Sequence, residues 1–372
     1  MINLDKYDEI IIWGACFMPD EIGVEATSHG GAIGKLYDLL ERNGYTNKIL
    51  FFVDSNKSVW GKKKLGKEVK EPSALLQHPS ALVIINSLSH SAILQSMESI
   101  HAQNECLFVP YYFYHGVLGH TYDNTFAKEH LAQHKDEIKE LYNMEDAHTA
   151  RYLDIIFRLR EKAEDDLYTK EFYRGTGENL AYFCDPELAP KGDVTLVDVG
   201  AFQGESIEPV RKMYGERLKK CLAFEPDQNS FPNLKLYVEE NNIEDMVDIY
   251  PYALGEEDKT IRFKTSGMMT TVSEDGTDQL EQRKFDDLPG IELVGDVMVK
   301  MDIEGAEMGA LVGMEQMIRK QHPYLAICLY HKETDLYDVP KYLSTLYSGY
   351  RFYLRGGWHL ECWAVPEKHF KI

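Results

Sequence analysis

The stretch Val197-Asp198-Val199-Gly200-Ala201-Phe202-Gln203-Gly204-Glu205 decides how the 372-residue chain is read. Apolar β-branched residues close a strand at Thr195–Val199, and helical periodicity takes over across Glu205–Tyr214. Gly200 and Gly204 allow positive φ and close backbone approach in the turn between them. The first N–H groups of the new helix then face whatever lies across that turn. Alone, a Gly-x-x-x-Gly turn is equally the mark of tight strand–helix packing, so its meaning depends on what shares the sheet edge.

Outward from this turn the alternation continues. Lys220–Phe224, Val247–Ala253, Val297–Met301 and Leu325–Tyr330 read as parallel strands, with helices at Ser230–Asn241, Ala306–Lys320 and Val339–Tyr347. Polar segments with hairpin signals, including Glu274-Asp275-Gly276, follow the third strand. Arg351–Leu354 and His359–Val365 close the region as an antiparallel pair around Arg355-Gly356-Gly357-Trp358.

Towards the N-terminus, Glu9–Trp13, Ile49–Val53, Ala81–Asn86 and Cys106–Val109 are fully apolar runs separated by helical patterns at Gly34–Arg42 and Ser91–His101. Such strands belong to a parallel sheet covered on both faces. Between the two regions, Lys128–Tyr142 and Ala147–Ala163 are charged helical segments, with Leu153, Ile156 and Leu159 as an apolar stripe. The expected organisation is α/β: a Rossmann-like domain at 1–115, a helical connector at 116–190 and a second Rossmann-like sheet at 191–372. The aromatic run Tyr111-Tyr112-Phe113-Tyr114 reads as packing at the domain interface, with stacking on a sugar as the alternative.

Composition narrows the function. Lys and Arg number 40 against 61 Asp and Glu, a formal net charge of -21. That surface repels phosphate backbones and anionic headgroups, so neither nucleic acid nor a membrane is the expected partner. No apolar run approaches the ~20 residues of a membrane span, and the first residues lack a signal-peptide layout. Cys16, Cys106, Cys184, Cys221, Cys328 and Cys362 are scattered, without metal-ligand or disulfide spacing. They read as reduced thiols of a cytoplasmic protein.

Three further features carry chemistry. Phe224-Glu225-Pro226 ends the second strand, 21 residues beyond Gly204. An acid there is placed to accept hydrogen bonds from ribose hydroxyls. The acidity of Asp198 and Glu205 around the turn favours a sulfonium with an amino-acid tail over a pyrophosphate. Val299-Lys300-Met301-Asp302-Ile303-Glu304-Gly305-Ala306-Glu307 puts Asp302 at the carboxyl end of the fourth strand, where open α/β sheets bind ligands. Tyr330-His331-Lys332 ends the fifth strand. His331 is the expected general base for a hydroxyl acceptor, because imidazole titrates near neutrality; Asp302 orients it or takes its place. A divalent ion on Asp302, Glu304 and His331 is chemically compatible, but the spacing does not require one.

These blocks resemble the FkbM-type S-adenosylmethionine-dependent methyltransferases. The likeness covers roughly 190–368 and reaches weakly back to Met144. Ala253-Leu254-Gly255, Phe285-Asp286-Asp287-Leu288, Leu329-Tyr330-His331-Lys332 and Leu354-Arg355 add to it. The resemblance implies a seven-stranded sheet with one antiparallel edge strand. It implies a methionine-binding turn at Asp198, Gly200, Ala201 and Gly204, and a ribose-binding acid at Glu225 beside Pro226. Adenine would lie near Ala253 and Leu254, and Asp302 and Glu304 would line the reaction centre. It further implies O-methylation of a sugar or other small hydroxylated metabolite. The oligomeric state stays open.

Ala201-Phe202 stands where such turns commonly carry more glycine. The N-terminal region is loosely similar to nucleotide-binding-like domains of sugar-modifying bacterial enzymes, through Ile12-Trp13-Gly14-Ala15, Gly31, Gly34 and Phe52-Val53-Asp54-Ser55-Asn56. Asp54 follows Gly34 by 20 residues, as a ribose acid would, but Pro19, Asp20, Glu21 and Glu25 interrupt the glycine turn. The competing readings are an NAD(P)-dependent oxidoreductase or epimerase working from this region, and a non-catalytic binding protein.

Overall fold

The described residues of the structure, a computed structural model, are 4–15, 31–87, 90–109, 124–162, 168–169, 182–183, 185–266, 269–272, 278–356 and 360–371. The chain divides into two compact units: Met1–Asn124 with Arg158–Gly175, and Thr125–Phe157 with Thr176–Ile372.

The first unit is built on β1 (Ile10–Trp13), α1 (Gly31–Arg42), β2 (Ile49–Val53), β3 (Lys63–Lys64), β4 (Lys67–Lys70), β5 (Leu82–Ile85), α2 (His90–Ser99), β6 (Cys106–Phe108) and β7 (Tyr168–Thr169). Its sheet runs β3-β4-β2-β1-β5-β6-β7, parallel in the middle, with β3 and β7 antiparallel at the two edges. Alternate residues of β1 explain the unbroken apolar run. Ile10 and Ile12 pack with Leu36, Leu40 and Phe52 on one face; Ile11 and Trp13 pack with Val53, Val83 and Phe108 on the other.

The second unit opens with α3 (Asn124–Leu141) and α4 (Ala147–Lys162). These helices were expected as a connector that docks on a neighbour through an apolar stripe. Their apolar stripes bury Leu131, Ile138, Leu153, Ile156 and Phe157 in the same core as Val197, Val299 and Leu354. A bridge between Tyr142 and Phe352 joins the end of α3 to the sheet edge. Leu159, Glu274–Gly276 and Tyr111–Tyr114 lie outside the side chains or residues described.

The main sheet contains β8 (Val194–Val199), β9 (Leu218–Phe224), β10 (Val247–Tyr250), β15 (Asp296–Met301), β16 (Tyr324–Cys328), β17 (Tyr350–Arg355) and β18 (Glu361–Pro366). Helices α5 (Ile207–Tyr214), α6 (Phe231–Glu240), α7 (Glu307–Gly313), α8 (Glu315–Gln321) and α9 (Asp335–Leu346) connect these strands. The strand order is β10-β9-β8-β15-β16-β18-β17. The antiparallel strand β18 is therefore not at the edge, as expected, but inserted between β16 and β17, pairing antiparallel with both. The parallel strands β8 and β15 are where the order of strand addition reverses, which makes the crevice beyond their carboxyl ends the switch point for a ligand.

Three local expectations change. The strand read at Val247–Ala253 breaks after Tyr250, and β11 (Ala253–Leu254) leaves for a second sheet with β12 (Lys259–Ser266), β13 (Met269–Val272) and β14 (Asp278–Arg283). The helix read at Ala306–Lys320 is two helices meeting at Met314. Gly313 there touches the chain at Gly255, whose carbonyl oxygen would lie 2.0 Å from an added Cβ. Helix α9 begins at Asp335, four residues earlier than its apolar stripe suggests, and accommodates Pro340.

Candidate active site

The turn after β8 is shaped by contacts with neighbouring strands. Gly200 has φ +81°, and a Cβ there would sit 2.1 Å from the Asp302 carbonyl oxygen. Only glycine lets the tips of β8 and β15 come this close. Gly204 (φ +92°) is required for a different reason, since a Cβ would meet the Tyr237 ring of α6 at 2.5 Å. The N–H groups of Gly200 and Ala201 both donate to the Phe224 carbonyl at 3.0 Å, tying the turn to β9. The Ala201 methyl faces the core.

Asp198 and Lys300 are direct cross-strand partners on β8 and β15. Both are buried, with Lys300 Nζ 3.2 Å from Asp198 Oδ1. Burial works against the Lys300 charge, but the Asp198 and Asp302 carboxylates hold its pKa above the ordinary lysine value. Lys300 also donates to the Gly200 carbonyl, and Ser206 Oγ donates to Asp198 Oδ2. Asp198, expected to border the methionine tail, is buried beside the turn. Its carboxylate fixes the turn from beneath.

Glu225 lies at the tip of β9, buried, and accepts from the Phe202 N–H at 2.7 Å and the Asp227 N–H at 2.8 Å. Phe202 reaches it from the left-handed region, φ +48°. Burial pushes the Glu225 pKa up to about 7, against the lowering effect of those two N–H donors. Pro226 ends the strand, and Asp227 Oδ1 accepts from Asn229 and Ser230 to start α6. The Phe224 and Tyr250 rings stack 4.7 Å apart, with Tyr252 beside them. Leu254 belongs to the same core as Phe224, and Ala253 is only partly buried.

The reaction edge expected at Asp302 is assembled from three segments. Asp302 Oδ1 accepts from the Tyr330 hydroxyl at 2.8 Å and Oδ2 from the Tyr182 hydroxyl at 2.9 Å. Burial drives both phenol pKa values far up, so each remains a donor. Tyr182 also donates its N–H to Glu361, whose pKa burial raises to about 8. The Tyr182 ring lies beneath the Lys300 ammonium, 5.3 Å from ring centre to Nζ. Sequence reading missed Tyr182, which lies in a stretch without periodicity. The Lys300–Asp198 pair had a signal: a lysine inside an otherwise apolar strand.

His331 lies in a cluster of acidic side chains. Its side chain is fully buried among carboxylates: Nδ1 is 2.8 Å from Glu307 Oε1, and Nε2 is 3.3 Å from Glu304 and 3.5 Å from Asp302. Burial favours the neutral ring, but Glu307, Glu304 and Asp302 together raise its pKa well above 6.5. The structure thus brings the expected base, His331, together with its expected orienting partner Asp302, and adds Glu307 as a partner on the other ring nitrogen. Glu304 (φ +57°) and Asp302 remain partly open to solvent at the rim.

Two family-like motifs prove architectural. Asp286 caps α8 through the N–H groups of Gln316 and Met317. Arg355 is buried, bidentate to Asp146 at 2.8 and 3.0 Å, with Nε 2.8 Å from Asp185. In the first unit, Asp54 accepts from the N–H groups of Ala15 and Asn56. Gly14 takes φ +103° against Asn86. Residues 16–30, with Pro19, Asp20, Glu21 and Glu25, lie outside the described residues.

This strand order, with a glycine turn, an acid on the second strand and an acid on the fourth, defines a Rossmann-like methyltransferase fold. Residues 198–352 match the family model described as the methyltransferase FkbM domain. The crystal structure of methyltransferase FkbM from Methylobacillus flagellatus KT is similar at 18% identity, covering 96% of this chain and 90% of that one with a TM-score of 0.60. A SAM-dependent methyltransferase structure from Aquifex aeolicus matches at 16% identity over 48% of this chain and 84% of that one, with a TM-score of only 0.28. No curated protein matches significantly.

Proposed function

We propose that the second unit binds S-adenosylmethionine across the tips of β8, β9 and β15 and transfers its methyl group to a hydroxyl of a sugar or other small hydroxylated metabolite. The observation that supports this most is the convergence of the Gly200 turn, Glu225 and Asp302 on three adjacent strands at the switch point. In this reading the ribose hydroxyls donate to the lone pairs that Glu225 keeps beyond its two backbone bonds. The methionine tail follows the backbone at Gly200 and Ala201, and adenine approaches the Tyr250–Leu254 wall.

Transfer is an in-line displacement at an electrophile that arrives already activated. The protein must hold sulfonium and acceptor about 3–3.5 Å apart and aligned. Asp302, held by two tyrosines, and Glu304 at the rim are placed to orient the acceptor hydroxyl. Incubating the protein with small-molecule extracts and methyl-labelled donor should give a product heavier by one methyl group. Absence of any labelled product across acceptor classes, with no calorimetric binding of the donor, would overturn the proposal.

A further inference from the structure

Asp302, Glu307 and His331 each offer one ligand atom, and these atoms all lie within 4.8 Å of one another. Ligands bound to a common ion at ~2.1 Å sit about 3–4 Å apart, so small side-chain movements would close the set. Glu307 belongs to the buried floor. Its Oε1 accepts from the Ile303 N–H at 3.0 Å and the Gly305 N–H at 3.3 Å and faces His331. Its Oε2 is buried and accepts no hydrogen bond among the described residues. A buried carboxylate oxygen without a donor is a strongly unfavourable state that a cation relieves. Asp335, itself buried, adds a fourth carboxylate beside Glu307 and His331, after Glu304 at the rim. Four carboxyl groups thus surround one imidazole ring, with the Lys300 and Lys332 ammonium groups acting on Asp302 and Asp335 from outside the cluster.

We propose that Asp302, Glu307 and His331 form a divalent-cation site, with Glu304 at its solvent-facing rim. Two carboxylates and one imidazole suit manganese better than an all-oxygen preference for magnesium would. Asp302 is anchored by Tyr182 and Tyr330, the kind of outer support that orients metal ligands. The partly open rim leaves positions for water or for an acceptor hydroxyl. The ion's use rests on the proposed methyl transfer, whereas its binding does not. A hydroxyl on the ion becomes more acidic and loses its proton to water. Its oxygen then forms the O–CH3 bond as the S–CH3 bond breaks, and that bond's electron pair stays on sulfur, leaving a neutral thioether. With the neutral His331 ring occupied as a ligand, activation of the hydroxyl falls to the ion.

Titration of the metal-free full chain with Mn2+, followed by loss of the free-ion electron paramagnetic resonance signal, tests the site without any methyl donor. One ion per chain is expected. Glu307→Gln and His331→Gln should each weaken binding at least tenfold. Because either buried variant could misfold, Glu304→Gln at the rim serves as a second probe and should weaken binding severalfold with an unchanged circular dichroism spectrum. Asp245→Asn, on a distant surface turn, should bind as the unaltered chain does. No stoichiometric binding, or binding indifferent to all three substitutions at the cluster, overturns the proposal. Donor binding in the presence of a chelator, measured in parallel, would show the methyl-transfer reading standing while the metal site falls.

Discussion

Glu225 is buried yet keeps two backbone N–H donors, an arrangement that leaves its carboxylate near its titration point around neutrality. Ribose hydroxyls donate best to the ionised form. Donor affinity should therefore rise as pH increases through about 7 and level off above it. Calorimetry at several pH values, in buffers of different ionisation heat, should also show proton release below that point. Glu225→Ala removes a charged acceptor worth about 1.5–3 kcal/mol, so affinity should fall roughly ten- to a hundredfold. Arg355 is a contrasting residue: removing its guanidinium leaves the Asp146 and Asp185 carboxylates without their buried counter-charge. Arg355→Ala should lower unfolding stability in urea by about 3–5 kcal/mol. An unchanged midpoint would contradict the anchoring role.

At the scale of elements, the approach of β8 to β15 is set by Gly200. Gly200→Ala forces a side chain onto the Asp302 carbonyl and a disfavoured backbone conformation, which alone costs about 1–3 kcal/mol. Donor binding should fall together with stability, read by calorimetry and urea titration; a fully stable variant with normal binding would contradict the close packing. The parallel strands and the acids at their tips were legible because burial on both faces writes continuous apolar runs, and Glu225 and Asp302 stand where those runs stop. The break at Met314 was not legible, because it depends on Gly313 meeting Gly255, 58 residues away in sequence. The sheet of β11 to β14 rests on largely polar strands, with no continuous apolar run to mark them. Tyr182 likewise depends on partners remote in the chain. His331 was found by position, but its protonation is set by Glu307, Glu304 and Asp302 jointly, and only the assembled cluster reveals that.

For the whole molecule, two units with separate apolar cores predict calorimetric unfolding that departs from a single two-state transition. Saturating methyl donor should move only the transition of the second unit, by about 2.7 kcal/mol at a hundredfold excess over Kd. A shift in both, or in neither, would contradict a site confined to that unit. The net charge of -21 further predicts no retention on duplex DNA at physiological salt, checked by electrophoretic mobility. The account's central claim, that the tips of β8, β9 and β15 form one adenosyl-sulfonium pocket, is tested most directly by a crystal structure with S-adenosylhomocysteine. The ribose should hydrogen-bond to Glu225 and the sulfur should face Asp302; a ligand bound elsewhere, or a pocket that excludes it, would contradict the claim.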